Sequence, residues 1–384
     1  MSYMLKELLK ICFRPLTWLN RIVPKNKKMI FFYSNLGFRD NVKALYDYLI
    51  KEGYHKKYKI ICAVNDYHKY ADSDLKNVKF VGTKVGIIYF IRTRFGFYSF
   101  GKYPIKPSKS QTIVNLWHGM PLKKIGNMEP GLTDVDYNYF TYVLATSDFF
   151  ADIMKKCFSC GDEQILINGQ PRTDEMFLEY NTNEIQMRKE YQNIIVWFPT
   201  YRNTDKLPKD SANQWPIPLI TIKEAEAINS LLVKSKSKMI IKLHPLQYSE
   251  KIKQFSNIEI INENQMSDKY GNIYGLLKLS DGLITDYSSV YFDYMLLDKP
   301  IAFTINDIDT YRDERGFVFD HPLDYMPGKQ VKDFKDLAEF IDSIIHRQDE
   351  FRKSRNGLNN LANKYQDGNN SERIAARIIG GINE

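Results

Sequence analysis

KKMIFFYSNLG (residues 27–37), NVKALYDYLIKEG (41–53) and YKIICAVN (58–65) stand almost end to end, and their order decides the fold. The first and third are short apolar runs bounded by turn residues, the pattern of a strand buried on both faces. The middle stretch is amphipathic and is closed by Gly53, a residue suited to the left-handed turn that ends a helix. Strand, helix and strand in succession predict a crossover unit with parallel strands.

The alternation continues downstream. NVKFVG (77–82), GFYSFG (96–101), TIVNLWHG (112–119) and YVLATS (142–147) read as strands. SDFFADIMKKCF (147–158) reads as a helix with Ser147 or Asp148 as its N-cap, and ILINGQPRTD (165–174) ends this half. The pattern then restarts with the strand NIIVWFPTYR (193–202) and the helix TIKEAEAINSLLVKS (221–235). Strands follow at KMIIKLHP (238–245), NIEIIN (257–262), GLITDYSS (282–289) and PIAFTI (300–305), with helices at YGLLKLS (274–280) and SVYFDYMLLDKP (289–300). After residue 333 helices take over. The expected fold class is therefore α/β, with two doubly wound, Rossmann-like domains facing a cleft at the carboxyl ends of their strands. The boundary falls within residues 173–192, where EYNTNEIQMRKEYQN (179–193) supplies linker and first helix.

Composition narrows the class. A chain of 384 residues that is 43% hydrophobic can bury two cores and is not disordered. The four cysteines (Cys12, Cys62, Cys157 and Cys160) form no disulfide framework. Cys157 and Cys160 make a C-x-x-C, but no second pair or nearby histidine follows, and a helix end at Gly161 explains the stretch as well. Of the net charge of +8, residues 1–28 carry +6, from Lys6, Lys10, Arg14, Arg21, Lys25, Lys27 and Lys28 against Glu7. The remainder is nearly neutral, which argues against a nucleic-acid partner. The same segment sets Leu5, Leu8, Leu9, Cys12, Leu16, Leu19 and Val23 at helical spacing beside Trp18, with Pro15 expected to split it into two short helices. No apolar run nears the ~20 residues that span a bilayer, and no secretory signal is expected, because charges interrupt the apolar part and no small-residue cleavage site follows. The segment reads as a basic amphipathic element lying on an anionic membrane surface, against the alternative of a helix packed on its own domain.

The residues suited to chemistry sit at strand ends. His118 follows TIVNLW and precedes Gly119, and His244 follows MIIKL and precedes Pro245. Each ends a buried strand where the chain turns, so both are expected to point into the cleft as base or phosphate stabiliser. In ITDYSSVYFDY a strand ends at Asp286, and Ser288 and Ser289 open a helix whose first amides favour an anion; the alternative is that one serine merely caps it. Thr200, Tyr201 and Arg202 follow a strand in FPTYR, and a guanidinium there can hold a pyrophosphate with two parallel bonds. ERGFVFD (314–320) places Glu314, Arg315 and Asp320 in a loop able to read a ribose or base, or to form a surface ion pair. Lys123 and Lys124 in GMPLKKIG suit an anionic acceptor. Phosphate-binding P-loops, dinucleotide fingerprints, nucleophile elbows and common metal motifs are missing from the sequence, so neither cofactor nor catalytic metal is expected.

Taken in order, WHGMPLKKIG, NGQPRTD, FPTYR, IKLHP, SDGLITDYSSVYFDY, ERGFVFD and DGNNSER, from about residue 114 to 373, resemble the CDP-glycerol glycerophosphotransferase family. That family includes the teichoic acid primases and polymerases and related capsule enzymes. The resemblance implies a GT-B-like fold with no cofactor beyond a CDP-glycerol or CDP-ribitol donor substrate. Its acceptor would be a lipid-linked glycan or polyol-phosphate chain at the cytoplasmic face of the membrane. It implies that His118 is the base and that His244 stabilises the donor pyrophosphate. Donor binding would then fall to Thr200, Arg202, Pro245, Asp286, Ser288, Ser289, Asp293 and Arg315, with Lys123 and Lys124 on the acceptor side. The domains expected are a membrane segment over 1–28, an acceptor domain over 29–172 and a donor domain over 173–365. Residues 366–384 would form a helix packing back on the first domain. Met120 stands where family members commonly have Thr, and Val318 where Tyr is usual; both departures bear on acceptor and polyol identity. The rival readings are a glycosyltransferase using a nucleotide sugar and a noncatalytic scaffold of the same fold.

Overall fold

The described strands gather into two sheets in which every ladder is parallel. The structure is a computed structural model describing residues 3–72, 74–199, 215–217, 219–243 and 252–380. In the first sheet β1 (Asn26–Ser34), β2 (Lys59–Val64), β3 (Val78–Val81), β4 (Thr93–Tyr98), β5 (Thr112–Asn115), β6 (Tyr142–Ala145) and β7 (Ile165–Ile167) take the order β3-β2-β1-β4-β5-β6-β7. The second sheet has β8 (Asn193–Trp197), β9 (Ser237–Lys242), β10 (Ile258–Ile261), β11 (Gly282–Thr285), β12 (Ile301–Thr304) and β13 (Lys329–Val331) in the order β10-β9-β8-β11-β12-β13. The two doubly wound parallel sheets read from the sequence are thus present. Their strand order reverses at β1/β4 and at β8/β11, and ligands of such sheets bind at the carboxyl ends beside the reversal.

The chain forms two compact units. One comprises the chain up to Met120, Ile125–Asp174 and everything from Ala362 on; the other comprises Pro121–Lys124 and Glu175–Leu361. In the first, the helix Asn370–Ile378 packs against the helix Asp40–Lys51, with Ile374 and Ala375 buried. The second opens with the helix Thr182–Glu190, whose capping box joins Asn181 and Glu184. Its core gathers Trp197 of β8, Ile241 of β9 and Ile284 of β11 with Leu232, Leu337 and Ile341 from flanking helices.

Several local expectations need correction. Pro15 does not divide the N-terminal segment, because a single helix runs Tyr3–Ile22 with Pro15 inside. A proline removes one helix hydrogen bond, and here the turn after it is held from outside. Buried Asn20 donates to Gln111 Oε1 (2.7 Å) and to the Lys106 carbonyl (3.0 Å). Trp18 (64% exposed) and Ile22 (57%) remain in the open, so this end of the helix is not simply packed on a core. Gly161 does not terminate the helix Asp148–Phe158; Ser159 takes the left-handed position, at φ 48°. Glu314 is helical, since Ile308–Glu314 forms a helix that Arg315 closes. Among the described residues, no helix is long and apolar enough to cross a membrane.

Candidate active site

In the first unit the chain leaves β5 through Leu116 and turns sharply at Trp117-His118-Gly119. Trp117 has φ +53° and Gly119 φ +124°, so the backbone is left-handed on both sides of His118. The half-buried imidazole stacks on Phe100, with centroids 4.9 Å apart and planes 22° from parallel. Phe100 lies just past β4, so the ring belongs to the carboxyl end of the sheet beside the β1/β4 reversal. Arg39, after β1, sets its guanidinium 5.4 Å from the Phe100 centroid. Cationic, aromatic and imidazole groups therefore meet at one strand-end cluster. Met120, directly after the turn, is buried.

A buried polar network supports this turn. Asn41 donates to the carbonyls of Leu116 (3.2 Å) and Trp117 (3.0 Å) and to Gln170 Oε1 (3.1 Å). The backbone N–H of Arg172 donates to Asn41 Oδ1 (3.1 Å), and its guanidinium pairs with Asp40 at 2.8 Å. The NGQPRTD stretch is therefore a brace under the histidine turn. Its last residue, Asp174, accepts from the backbone N–H groups of Asn370 (2.9 Å) and Ser371 (2.8 Å) at the start of the C-terminal helix. Burial raises the Asp174 carboxyl to about 6, with the Ser371 and Asn370 bonds opposing the rise.

In the second unit β11 delivers Thr285 and buried Asp286 to its carboxyl end, next to the end of β8. Thr285 donates to the Phe198 carbonyl (3.3 Å), which ties the two strand exits together. Buried Tyr287 donates to Asp307 (3.0 Å), and its ring lies 4.3 Å from Tyr311 and 5.4 Å from Phe317. This brings the ERGFVFD stretch to the DYSS turn. Ser288 and Ser289 are half-buried. Ser289 begins the helix Val290–Tyr294 without a side-chain capping bond, and Ser288 Oγ meets the Val290 N–H only at 3.5 Å. Neither hydroxyl is committed to a strong cap. Asp293 is buried and accepts from the Tyr274 hydroxyl (3.1 Å), a position inside the fold below the turn. Arg315 is exposed.

Lys123 and Lys124 depart from their expected place. Although they follow His118 closely in sequence, their backbone belongs to the second unit, the one read as donor-binding. Lys124 N–H donates to the Gly316 carbonyl (3.1 Å) and Val318 N–H to the Leu122 carbonyl (2.8 Å), around an antiparallel bridge between Lys123 and Phe317. Backbone groups near a buried surface must be satisfied, and here residues 316–318 satisfy them. Gly316, at φ +69°, brings this loop against the Lys124 side chain, which a Cβ would meet at 3.0 Å.

The profile of the CDP-glycerol:poly(glycerophosphate) glycerophosphotransferase family matches residues 16–380. The chain belongs to this family. It is 32% identical to the teichoic acid glycerol-phosphate primase of Bacillus subtilis over 69% of this chain and 67% of that one. It is 26% identical to the teichoic acid poly(glycerol phosphate) polymerase of Bacillus spizizenii over 94% of each. In structure it is similar to the wall teichoic acid polymerase TagF, with a TM-score of 0.73 at 20% identity over 98% of this chain and 96% of that one. Ribitol-phosphate primases and polymerases also occur among the relatives. The resemblance read from the ordered motifs and the transferase class it implied therefore hold.

Of the family motifs, WHG, NGQPRTD and DGNNSER converge in the first unit, and DYSS, ERGFVFD and the PLKK segment in the second. Thr200, Arg202, His244 and Pro245 lie outside the described residues. Sequence reasoning missed Asn41, Gln170 and Arg172 as the support of His118. Gln170 and Arg172 had one signal, the polar cluster in NGQPRTD, which carries no spacing rule of its own; Asn41 had none. The C-x-x-C has no such site around it: burial pushes the Cys157 thiol up to about 12 and Cys160 to about 11, away from thiolate. Among the described residues, no three His, Cys, Asp or Glu side chains gather as metal ligands.

Proposed function

We propose that this glycerophosphotransferase moves glycerol phosphate from CDP-glycerol to a hydroxyl of a lipid-linked glycan or poly(glycerol phosphate) acceptor in teichoic-acid-type synthesis. The observation that carries the reading is the family match across residues 16–380, joined to an imidazole set on a braced turn at the carboxyl end of a doubly wound sheet. His118 takes the proton of the acceptor hydroxyl, and the freed oxygen attacks the β-phosphorus of the donor. The bond from that phosphorus to the bridging oxygen breaks, and CMP leaves with the electron pair. The protein's part is positioning and charge stabilisation rather than covalent chemistry. On the donor side that part falls to Ser288, Ser289, Arg202 and His244, with no metal and no cofactor, and Arg315 reads the nucleoside.

The acceptor is lipid-linked, so the enzyme works at the cytoplasmic membrane face. The basic charge of residues 1–28 and the exposed Trp18 and Ile22 support peripheral attachment there. The placement of Lys123 and Lys124 in the second unit supports a role beside the donor phosphates rather than the acceptor.

The test is a donor screen on the purified full chain with one lipid-linked acceptor, comparing CDP-glycerol, CDP-ribitol and UDP-sugars. CMP release with CDP-glycerol is the expected result. Turnover with CDP-ribitol alone would move the chain to the ribitol branch of its relatives, and UDP release from a UDP-sugar would overturn the reaction class.

A further inference from the structure

We propose that Asn41 is the positioning residue of His118: it holds the turn that aims the imidazole and does not itself touch substrate. The proposal rests on the reading of His118 as the base.

Asn41 stands in the first turn of the helix Asp40–Lys51 and is fully buried. Its single Nδ2 reaches the carbonyls of Leu116 and Trp117, the two residues immediately before His118, at 3.2 and 3.0 Å. The same group reaches Gln170 Oε1 at 3.1 Å, so two hydrogens serve three acceptors. Its Oδ1 accepts the Arg172 N–H at 3.1 Å, which fixes the orientation of the amide. Turned over, it would face acceptor oxygens with an oxygen and a donor with a donor.

The bond to Trp117 matters most. The carbonyl of Trp117 and the N–H of His118 lie in one rigid peptide plane. Anchoring that oxygen therefore fixes the plane from which the Cα–Cβ bond of His118 departs. The anchor is needed because Trp117, at φ +53°, occupies a region that a bulky L residue keeps only when its surroundings hold it there. Two further bonds hold the backbone leading into His118. Leu116 N–H pairs with the Tyr98 carbonyl (2.8 Å) and Trp117 N–H with Asn115 Oδ1 (3.0 Å), and both act on the N-terminal side of the Trp117–His118 peptide plane. Asn41 is itself held, since neighbouring Asp40 pairs with Arg172 at 2.8 Å. The helix start at residues 40–41, the turn at 116–118 and the brace at 170–172 thus form one closed circuit around a side-chain amide.

The experiment is a mutant cycle on the full chain, with CDP-glycerol and a lipid-linked saccharide carrying one glycerol phosphate. Asn41→Ala is expected to lose about 10²-fold in kcat, the scale of a small misplacement of a catalytic group, while KM for CDP-glycerol stays within about twofold. The double variant with His118→Ala should fall no lower than His118→Ala alone. Gln170→Met disturbs the same network but leaves the two turn carbonyls bound, and should lose clearly less kcat than Asn41→Ala, about tenfold at most. Additive losses in the double variant, or an equal loss in Gln170→Met, overturn the proposal. Near-normal turnover of His118→Ala overturns the base assignment instead. Should Asn41→Ala not fold, Asn41→Asp in protein labelled with 15N-histidine gives a second reading. The ring signals of His118 should move while those of the other five histidines stay, and an unmoved His118 overturns the proposal.

Discussion

The carboxylate of Asp174 receives the backbone N–H of Ser371 at 2.8 Å across 197 residues of sequence. Asn370 N–H joins it at 2.9 Å, so one acid caps the helix Asn370–Ile378 from the far end of another motif. Asp174→Ala leaves both amides without that acceptor and should cost about 1–2 kcal/mol. The loss would register as a lower Tm and as faster hydrogen exchange confined to residues 370–378.

The same acid sets a pH dependence. Burial raises its folded-state pKa to about 6 from an ordinary 3.8, so the folded protein holds this proton more tightly than the unfolded chain does. The share of its stabilisation that depends on this proton is therefore complete below about pH 3.8 and is lost as pH rises through about 6, whereas the two accepted backbone bonds remain in the ionised form. A 13C titration of the Asp174 carboxyl should show a midpoint near 6, and a midpoint near 4 would refute the desolvation argument.

Gly169 tests the packing of this junction. A Cβ there would meet the Asn370 side chain at 2.1 Å, too close for any real contact. Asn370 cannot swing away cheaply, because its Nδ2 donates to Thr173 Oγ1 at 3.1 Å. Gly169→Ala should destabilise the protein by about 2 kcal/mol or more, read by urea denaturation.

Ser289 separates capping from ligand binding. Having no side-chain cap bond, Ser289→Ala should change stability by no more than about 0.5 kcal/mol. If its hydroxyl meets a donor phosphate, affinity for CDP-glycerol should fall about tenfold or more, since a bond to a charged group is worth about 1.5–3 kcal/mol. Calorimetric titration against a thermal melt distinguishes the two, and lost stability with unchanged affinity would assign the serine to the helix alone.

His118→Ala should reduce turnover by about 10²–10⁴-fold, the range of a lost general base, and leave CDP-glycerol binding nearly intact. Single-turnover CMP release together with equilibrium donor binding measures both. A variant that turns over almost normally would end the base assignment.

How much of this was legible beforehand depended on how local each signal is. The strands were plain because runs such as MIFFY and IIVWF need no distant information to be recognised as buried. The helix Thr83–Arg92 escaped notice: it starts after Gly82 with no side-chain cap and runs directly into β4 as one apolar stretch. The strand β13 is only three residues long. His118 could be singled out from its strand-end position, whereas Asn41 could not. Its partners lie 75, 76 and 129 residues away, and nothing in a first-turn asparagine announces them. Lys123 and Lys124 were placed by nearness to His118 in the chain, and tertiary pairing overrode that nearness.

That pairing bears on how such enzymes can be recombined. The chain passes from one unit to the other after Met120, Lys124, Asp174 and Leu361. A graft that exchanged only residues 175–361 between relatives would carry the 316–318 edge into a host supplying its own version of Pro121–Lys124. The transplanted loop would then meet a foreign partner strand. Donor preference and that four-residue excursion are accordingly expected to be inherited together, and a working chimera needs both pieces from one parent.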